Sequence, residues 1–406
     1  MKFNKDVVIL EREDRVILVN SYTRKWYKLS RELFLIIRDA VNGNYTENIL
    51  LSKMYDEEDR KIVSNVINNL RVLGILLENN HAGMNRELNF TIAITDRCNL
   101  VCKHCSYSAK YGTNLEKVST KELIFRLKKI LQLNPTSLAF TGGEPMVRED
   151  FDEILEWLGH NYKGHTMLMT NGTLINEENV KKIGQNFSQI DISIDGINEE
   201  TCAAIRGRGV FDKVINSVHL LQERGFTKIS LSMVDTHLTH KYIEQFFELN
   251  KKMGTHPVLR SFSAIGRGEI NKNMFELQDD DYIEKKNKLS EEFRTNYKNN
   301  FKSSGCGAGK GNFFVDYDGS IYGCATLREY GYKIGEIEDI EQVIKYEENM
   351  HYRNMINRLP DKCKKCDVNI FCIECLADFF DIDQEKFDDF CNERKECIQD
   401  IVWGRE

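Results

Sequence analysis

From residue 88 onward, the apolar residues follow two alternating periods, one typical of strands and one typical of helices. The run "LNFTIAIT" places Leu88, Phe90, Ile92 and Ile94 on one face at a period of two. Five further runs have strand character: "SLAFT", "HTMLMT", "QIDISID", "KISLSMV" and "PVLRSFS". Helical stretches, such as residues 121–133, separate them. Six strand and helix units over roughly 180 residues predict an α/β fold with a parallel sheet, open or partly closed into a barrel.

Residues 1–85 show a different order of elements. "VVILERE", "RVILVNS" and "RKWYKLS" are short β-rich runs, and helix-like stretches follow near 30–42, 46–55 and 58–73. In the last stretch, Ile62, Val66, Leu70 and Leu73 have helical spacing. The pattern predicts a small separate domain, and the alternative interpretation is an N-terminal extension with no function of its own.

The composition excludes several classes of protein. The chain has 406 residues, of which 41% are hydrophobic and 29% charged, so it is of globular and not of disordered type. Its formal charge of -7 gives no general attraction to nucleic acid. No apolar run approaches the roughly 20 residues of a membrane helix, and no secretion signal is recognisable. We therefore expect a cytoplasmic protein with neither a membrane nor a nucleic acid as its partner.

Twelve cysteines are many for such a chain, because a reducing cytoplasm does not let disulfides accumulate. Three of them lie between Cys98 and Cys105, one stands alone at Cys202, and eight follow residue 305. This distribution favours metal ligands in at least two separate sites.

Residues of unusual type follow the predicted strands, where folds of this kind carry their active sites. A cysteine-rich loop follows the first strand, "TGGEP" the second, "TNGTL" the third and "IDG" the fourth. Gly142 and Gly143 let the backbone come close to a ligand, and the carboxylate of Glu144 suits an ammonium group. The sequence therefore predicts a ligand site at this edge of the sheet.

The segment "CNLVCKHC" places Cys98, Cys102 and Cys105 at offsets of four and three. Structural zinc is one explanation, but a closed zinc site usually takes four ligands from two separated pairs, and His104 is not at a usual ligand spacing. A 4Fe–4S cluster held by three thiolates keeps one iron for an outside molecule. The motif and its place after the first strand resemble the radical S-adenosylmethionine (AdoMet) superfamily.

This resemblance implies a partial (β/α)6 TIM-like barrel in which the three cysteines hold the cluster, while the amino and carboxylate groups of AdoMet bind its fourth iron. One electron, supplied by a donor such as flavodoxin or ferredoxin, then cleaves AdoMet into methionine and a 5′-deoxyadenosyl radical that takes hydrogen from the substrate.

Further positions match AdoMet contacts of the superfamily. The resemblance implies that the segment 142–144 contacts the methionine amino group, that Ser193 contacts the ribose and that Arg206 pairs with the carboxylate. Taken alone, the last two would be a buried strand serine and a surface arginine. "SAIGRGEIN" also resembles a glycine–arginine–glycine segment found in one branch of the superfamily.

The cysteine spacing after residue 305 resembles the SPASM domain of radical AdoMet enzymes that modify peptides and proteins. This implies two auxiliary 4Fe–4S clusters. The outer cluster would take Cys363, Cys366, Cys372 and Cys391, and the inner cluster Cys306, Cys324 and Cys375. The family has three residues between its fifth and sixth cysteines, where this chain has two. A zinc ribbon would explain residues 363–375 alone, but not the remaining thiols.

The inner set of thiols is one ligand short of a complete cluster site. Either Cys397 completes it, or one iron stays open to a substrate thiolate.

The resemblance divides the chain into a winged-helix-like leader-recognition domain at 1–85, the partial barrel at 86–270, a bridging helical region at 271–304 and the SPASM domain at 305–406. Three strands followed by three helices resemble the peptide-recognition element of enzymes that modify ribosomally made peptides. A leader peptide would add as a strand beside "RKWYKLS" and pack on the helix near 58–73.

Together these resemblances imply an enzyme that takes hydrogen from a core residue of a ribosomally made precursor peptide, bound through its leader, and installs a cross-link. A thioether is the favoured product. The alternatives are a carbon–carbon or carbon–oxygen cross-link, and epimerisation with Cys202 or Cys397 as hydrogen donor. A sulfatase-maturase-like activity is a further alternative, although Ala325 stands where those enzymes tend to have aspartate. No side chain is assigned as a catalytic base.

Two alternative hypotheses assign the chain to other functional classes. A non-enzymatic iron–sulfur electron carrier would explain the thiols but not Gly142–Glu144, Ser193 and Arg206. A zinc-stabilised peptide-binding scaffold would contain neither iron nor sulfide.

Overall fold

The computed structural model describes residues 1–78, 87–112, 116–277, 306–345, 359–372, 375, 377 and 384–404. They belong to two compact units, one formed by Met1–Arg86, Lys288–Gly307 and Asn354–Glu406, the other by Glu87–Asn287 and Ala308–Arg353. We call these the terminal unit and the barrel unit. The cysteine-rich tail is divided between them, and the bounds of the four predicted segments stay predictions. No helix in the described ranges is long and apolar enough to cross a membrane.

The strands of the described residues are β1 (Lys2–Phe3), β2 (Val7–Glu11), β3 (Arg15–Asn20), β4 (Trp26–Ser30), β5 (Leu76–Leu77), β6 (Asn89–Ala93), β7 (Arg97–Cys98), β8 (Lys110–Tyr111), β9 (Ser137–Thr141), β10 (His165–Thr170), β11 (Gln189–Ser193), β12 (Ile229–Asp235), β13 (His256–Ser261), β14 (Asn312–Val315), β15 (Ser320–Tyr322) and β16 (Lys333–Glu336).

The helices of the same residues begin with α1 (Arg31–Asn42), α2 (Glu47–Ser52), α3 (Glu57–Val72), α4 (Thr120–Leu131), α5 (Phe151–Asn161), α6 (Val180–Asn186), α7 (Glu199–Arg206), α8 (Val210–Glu223), α9 (Ile243–Met253), α10 (Arg267–Ile270) and α11 (Lys272–Phe275). Later helices are Ala325–Glu329, Ile340–Lys345, Asp361–Lys364, Asn369–Cys372 and Gln384–Val402, and short 3-10 turns are Pro145–Val147, His240–Tyr242 and Ile337–Asp339.

The barrel unit is built on one nine-stranded sheet, in the order β13-β12-β11-β10-β9-β6-β14-β15-β16. The six strands from β13 to β6 are parallel to their neighbours, and they are the six runs that the sequence predicts. The prediction of a partial parallel barrel is confirmed.

The period of two decides which side chains face the barrel interior. In β11, Ile190 and Ile192 are fully buried in the apolar core beneath the helices, whereas Ser193 lines a cavity on the other face. Since successive side chains of a strand point to opposite faces, Asp191 lies on the same face as Ser193. The inner face is therefore polar at this strand, as a ligand site requires.

The first part of the tail extends this sheet, which the sequence did not predict. β14 pairs in parallel with β6, with Phe313 opposite Phe90 and the two rings stacked at 5.5 Å between centroids. β15 and β16 continue in antiparallel order. The predicted helical stretch beyond Phe275 falls almost wholly outside the described residues.

The terminal unit contains the three strands and three helices predicted for the start of the chain. β2, β3 and β4 form an antiparallel sheet. Ser30, Thr46 and Asp56 begin α1, α2 and α3, each accepting a hydrogen bond from a first-turn backbone N–H with its side-chain oxygen. One face of the sheet packs on these helices around a buried core.

The other face of this sheet packs on the end of the tail. Ile17 and Val19 of β3 are fully buried in a cluster with Val368, Phe371, Ile398, Val402 and Trp403. The Trp26 ring meets Phe371 edge to face at 5.5 Å, and Arg12 pairs with Asp367 at 2.8 Å. The beginning and the end of the chain therefore share one core.

We expect Trp403→Ala to destabilise the terminal unit by about 3–5 kcal/mol, the usual loss for a buried aromatic side chain. Trp403 is 4% exposed, and the Arg12 guanidinium lies over its ring at 4.7 Å. Hydrogen exchange of the β3 amides measures the effect, and Tyr55→Ala is the control because Tyr55 is 102% exposed. Unchanged protection of β3 in Trp403→Ala would contradict a shared core.

Candidate active site

The cysteine loop, residues 98–105, opens into a cavity of 430 Å³ in the barrel unit. Cys98 and Cys102 are each 8% exposed, and Cys105 is half-buried. The other predicted site residues that line this cavity are Gly142, Gly143, Ser193 and Arg206. The structure thus brings residues from the ends of β9 and β11, and from α7, to the cysteine loop.

Gly142 and Gly143 hold the end of β9 against the chain that enters the cysteine loop. Gly142 has a φ of +133°, and a Cβ there would lie 2.2 Å from the Thr95 carbonyl oxygen. A Cβ on Gly143 would lie 2.0 Å from the carbonyl oxygen of Arg97. A hydrogen bond accompanies each of these close contacts. Gly143 N–H donates to the Thr95 carbonyl at 3.0 Å, and Glu144 N–H donates to the Arg97 carbonyl at 2.8 Å. Only glycine permits this backbone contact.

The Glu144 carboxylate lies behind the cavity wall and is fully buried. It accepts hydrogen bonds from the Thr170 hydroxyl at 2.8 Å, from Asn171 N–H at 2.7 Å and from Met146 N–H at 3.2 Å. Burial raises the pKa of this carboxyl despite those donors. Glu144 therefore joins the ends of β9 and β10, and its contact with AdoMet stays a prediction.

Arg206 reaches the cysteine loop from the last turn of α7. Its Nη1 lies 3.9 Å from the Cys102 sulfur, and its guanidinium pairs with Asp195 at 2.6 Å. The ring nitrogen Nε2 of His104, between two of the loop cysteines, also meets Asp195 at 2.6 Å. The motif "IDG" stands out in the sequence, but no role for Asp195 follows from it, because the partners of Asp195 come from distant segments.

The glycine–arginine–glycine segment after β13 closes the cysteine loop from the other side. Arg267 donates from Nε to the Cys102 carbonyl at 3.0 Å, from Nη1 to the Ala109 carbonyl at 2.7 Å and from its backbone N–H to the Cys105 carbonyl at 3.0 Å. Gly266, with a φ of +60°, has no room for a Cβ, which would lie 2.4 Å from the Ser106 carbonyl oxygen. The segment whose role the sequence left open thus fixes the loop backbone.

Burial disfavours the thiolate form of two of the loop cysteines, Cys98 and Cys102. Burial raises the pKa of Cys98 to about 12, and the nearby Glu144 charge adds to this rise. Burial also raises the pKa of Cys102, against the opposing charge of Arg206. Because only thiolates ligate iron, cluster binding at this loop must displace protons.

The arrangement fits an iron–sulfur cluster better than zinc. Among the described residues, no three His, Cys, Asp or Glu side chains converge as ligands of one metal ion. A closed zinc site takes four ligands, whereas the loop itself carries three cysteines. Three thiols of one short loop, beside hydroxyl, guanidinium and glycine backbone groups in one cavity, are the donor set of a cluster with an additional ligand.

The four thiols predicted for the outer auxiliary cluster all belong to the terminal unit. Burial raises the pKa of Cys372 to about 12, and the charges of Cys363, Cys366 and Cys391 add to this rise. Burial likewise raises the pKa of Cys363 to about 11, with Cys391 and Cys366 contributing. These charge effects support the predicted outer cluster, whose ligand set stays a prediction.

The inner set of thiols stays a prediction. Cys324 belongs to the barrel unit and precedes the helix Ala325–Glu329, whereas Cys306 and Cys375 belong to the terminal unit. The side chain of Cys397, on the helix Gln384–Val402, lies outside the described part.

Cys202 lies in the apolar core of the barrel unit and is fully buried. Burial raises the pKa of its thiol to about 12. It is not among the residues that line the cavity, which argues against Cys202 as a hydrogen donor to a substrate.

Residues 92–249 match the sequence family described as the radical SAM superfamily, and residues 306–367 match SPASM, described as an iron–sulfur cluster-binding domain. The chain is therefore similar to the radical SAM superfamily over residues 92–249, which are less than half of its length. Radical SAM domains bind AdoMet and a 4Fe–4S cluster, and SPASM domains bind auxiliary iron–sulfur clusters. The site and the tail of this chain supply thiols for both.

Individual relatives differ in their chemistry. Mycofactocin maturase MftC of Mycolicibacterium smegmatis is 28% identical over 194 residues, which are 48% of this chain and 49% of that protein. The chain thus spans about half the length of such curated relatives. The AdoMet-dependent heme synthase of Methanosarcina barkeri is 24% identical over 318 residues, covering 70% of this chain and 89% of that protein.

Among solved structures, SuiB of Streptococcus suis bound to S-adenosylmethionine matches with a TM-score of 0.57 at 16% identity, covering 93% of this chain and 96% of that chain. SuiB bound to the precursor peptide SuiA matches with a TM-score of 0.55. At these identities the likeness is one of fold, and it extends over nearly the whole chain.

We expect Gly142→Ala to abolish assembly of the loop cluster, because the added Cβ must push away the Thr95 backbone. Iron and sulfide content after anaerobic reconstitution measures the result. Gly112→Ala is the matched control: Gly112 has a similar φ of +118°, but nothing lies within 4 Å of its added Cβ. Equal cluster content in the two variants would show that the close approach at Gly142 is not required.

Proposed function

We propose that this protein is a radical AdoMet maturase that cross-links a ribosomally made precursor peptide. The observation that carries the proposal is the cysteine loop, which presents three thiols to a cavity at the carboxyl ends of the barrel strands. With AdoMet bound, the cluster supplies hydrogen-atom abstraction chemistry. The chain's own residues hold the loop, exclude water from two of the thiols and supply a guanidinium, Arg206, for the AdoMet carboxylate.

A peptide substrate is supported by the sheet of the terminal unit, in which β2 and β4 are the two edge strands. Opposite residues of β3 and β4 alternate between hydrogen-bonded and non-hydrogen-bonded pairs. The hydrogen-bonded pairs are identified by two bonds, from Asn20 N–H to the Lys25 carbonyl and from Arg31 N–H to the Asp14 carbonyl. Lys28, opposite Ile17, then falls in a non-bonded pair, so its backbone groups point to the open edge. An extended leader segment adding there as a fourth strand is the occupant that we propose.

The helix α3 borders this edge. Asn69 of α3 donates from its side-chain amide to the Tyr27 hydroxyl at 3.2 Å, which ties the helix to β4. Ile62 and Val72 on α3 are 44% and 69% exposed. These apolar side chains support packing of leader residues on the helix beside the added strand.

AdoMet cleavage tests the enzymatic part of the proposal. The reconstituted and reduced protein should form 5′-deoxyadenosine from AdoMet, and a variant with Cys98, Cys102 and Cys105 changed to alanine should form none, as chromatography measures. Cys202→Ala should retain cleavage, because that thiol lies outside the cavity. No 5′-deoxyadenosine from the wild-type protein would leave the electron-carrier hypothesis in its place.

Lys28→Pro tests the peptide-binding edge. Proline removes the backbone N–H that points to the open side and costs the sheet no ladder bond, as is tolerated at sheet edges. Anisotropy of a labelled leader peptide, taken from the precursor encoded beside the gene, should show at least tenfold weaker binding. Lys28→Ala keeps the N–H and loses the same side chain, so it should bind like the wild type. Equal binding by both variants would contradict strand addition at β4.

The favoured product is a thioether. The predicted inner cluster has three thiol ligands instead of four, which supports a thioether, since an open iron suits a peptide thiolate. Thioether formation removes one hydrogen from carbon and one from sulfur, so mass spectrometry should show a loss of two hydrogens with the peptide thiol consumed. The same loss with the thiol retained would indicate a carbon–carbon or carbon–oxygen link, and an unchanged mass with altered stereochemistry would indicate epimerisation.

A further inference from the structure

Asp195 connects three segments at the carboxyl edge of the barrel. It follows β11, is fully buried and has a φ of +50°, a left-handed conformation in which aspartate is among the tolerated residues. Its carboxylate accepts from Val234 N–H at 2.6 Å, from Arg206 Nε at 2.7 Å and from His104 Nε2 at 2.6 Å. One side chain thus bridges the end of β12, helix α7 and the cysteine loop.

The electrostatics keep this carboxylate ionised. Burial alone would raise the pKa of Asp195, but the charges of Arg206 and His104 outweigh burial and hold that pKa well below its ordinary value. An ionised carboxylate only accepts hydrogen bonds, so the hydrogen between the two side chains belongs to Nε2 of His104. The other ring nitrogen, Nδ1, is buried without a partner among the described residues.

Arg206 depends on the same carboxylate. Its side chain is 10% exposed, and Asp195 neutralises its buried charge. Without this partner the guanidinium would be an uncompensated buried charge, free to turn toward solvent or toward Cys102, whose sulfur lies 3.9 Å from Nη1. Partners of this kind orient the groups that contact a metal or its ligand.

We propose that Asp195 is a positioning residue for AdoMet: it aims Arg206 at the AdoMet carboxylate and holds His104 in the ring orientation that the cysteine loop needs. The proposal rests on the assignment of Arg206 to that carboxylate. Asp195 itself does not line the cavity and so acts through the two side chains that do.

The chain offers a matched control at the next strand end. Asp235, the last residue of β12, meets His240 Nδ1 at 2.7 Å, and the two residues are 7% and 6% exposed. Neither residue lines the cavity. Asp235→Asn therefore removes a buried carboxylate beside a histidine at the same edge of the barrel without changing a group that faces AdoMet.

The experiment compares the reconstituted wild-type protein with Asp195→Asn, Asp235→Asn, Arg206→Gln and the double variant Asp195→Asn/Arg206→Gln. Iron and sulfide are measured first, then AdoMet affinity by equilibrium dialysis, then the electron paramagnetic resonance spectrum of the reduced cluster with and without AdoMet. We expect Asp195→Asn to keep its iron, bind AdoMet roughly 10–100-fold more weakly and show a smaller AdoMet-induced spectral change. Asp235→Asn should match the wild type in all three measurements.

The double variant separates positioning from a general structural role. If Asp195 acts through Arg206, the loss of AdoMet affinity in the double variant stays within about threefold of that in Arg206→Gln, because one interaction is removed twice. Additive losses, or wild-type affinity in Asp195→Asn, would overturn the proposal.

Asp195→Glu covers the case in which Asp195→Asn takes up no iron. It keeps the charge but displaces the carboxylate, so it should load the cluster and still bind AdoMet at least tenfold more weakly. Wild-type AdoMet affinity in this variant would overturn the proposal as well. No peptide enters these measurements, so their outcome is independent of whether the protein matures a peptide.

Discussion

The fixed backbone of the cysteine loop is the constraint on which the site depends. Thiols that must bind a cluster cannot hold the loop through side-chain contacts of their own, so neighbouring segments hold its main chain instead. Arg267 donates to the carbonyls of Cys102 and Ala109, and Glu144 N–H donates to the Arg97 carbonyl at the loop's entrance. The loop is thereby fixed from both sides, and its sulfurs remain free to face the cavity.

Two buried carboxyls beside this loop differ in their protonation preference because their partners differ. Among the described residues, the hydrogen-bond donors at the Glu144 oxygens are uncharged, and burial raises the pKa of this carboxyl. Asp195 is buried just as completely, but Arg206 and His104 lower its pKa well below the usual range. Charge on the partners, and not burial, therefore decides the direction in which each carboxyl pKa moves. Asp195 and Arg206 then form a buried ion pair beside the cavity.

The sequence predicts the barrel strands and the cysteine loop because both depend on local pattern. Period-two runs define β6 and β9–β13, and the loop motif occupies eight consecutive residues. The bonds of Asp195 and Arg267 to the loop join residues 91 and 165 positions apart in the chain, so no local pattern reveals them. Glu144 shows the same limit: its motif was recognisable, whereas the direction of its carboxylate depends on Thr170 and Asn171 of the next strand end.

The sequence also could not predict that the tail is divided between the two units. This division depends on which sheet edges and faces of the folded units are available for packing. β14 covers the free edge of β6, and residues beyond 360 cover the outer face of the N-terminal sheet. In that second contact, Phe371 and Asp367, which meet Trp26 and Arg12, are direct neighbours of Cys372 and Cys366. Lys28 of the edge strand also donates from Nζ to the Val402 carbonyl at 3.2 Å, at the end of the helix that carries Cys391. A peptide strand added at β4 would therefore join the same packed unit that holds Cys366, Cys372 and Cys391.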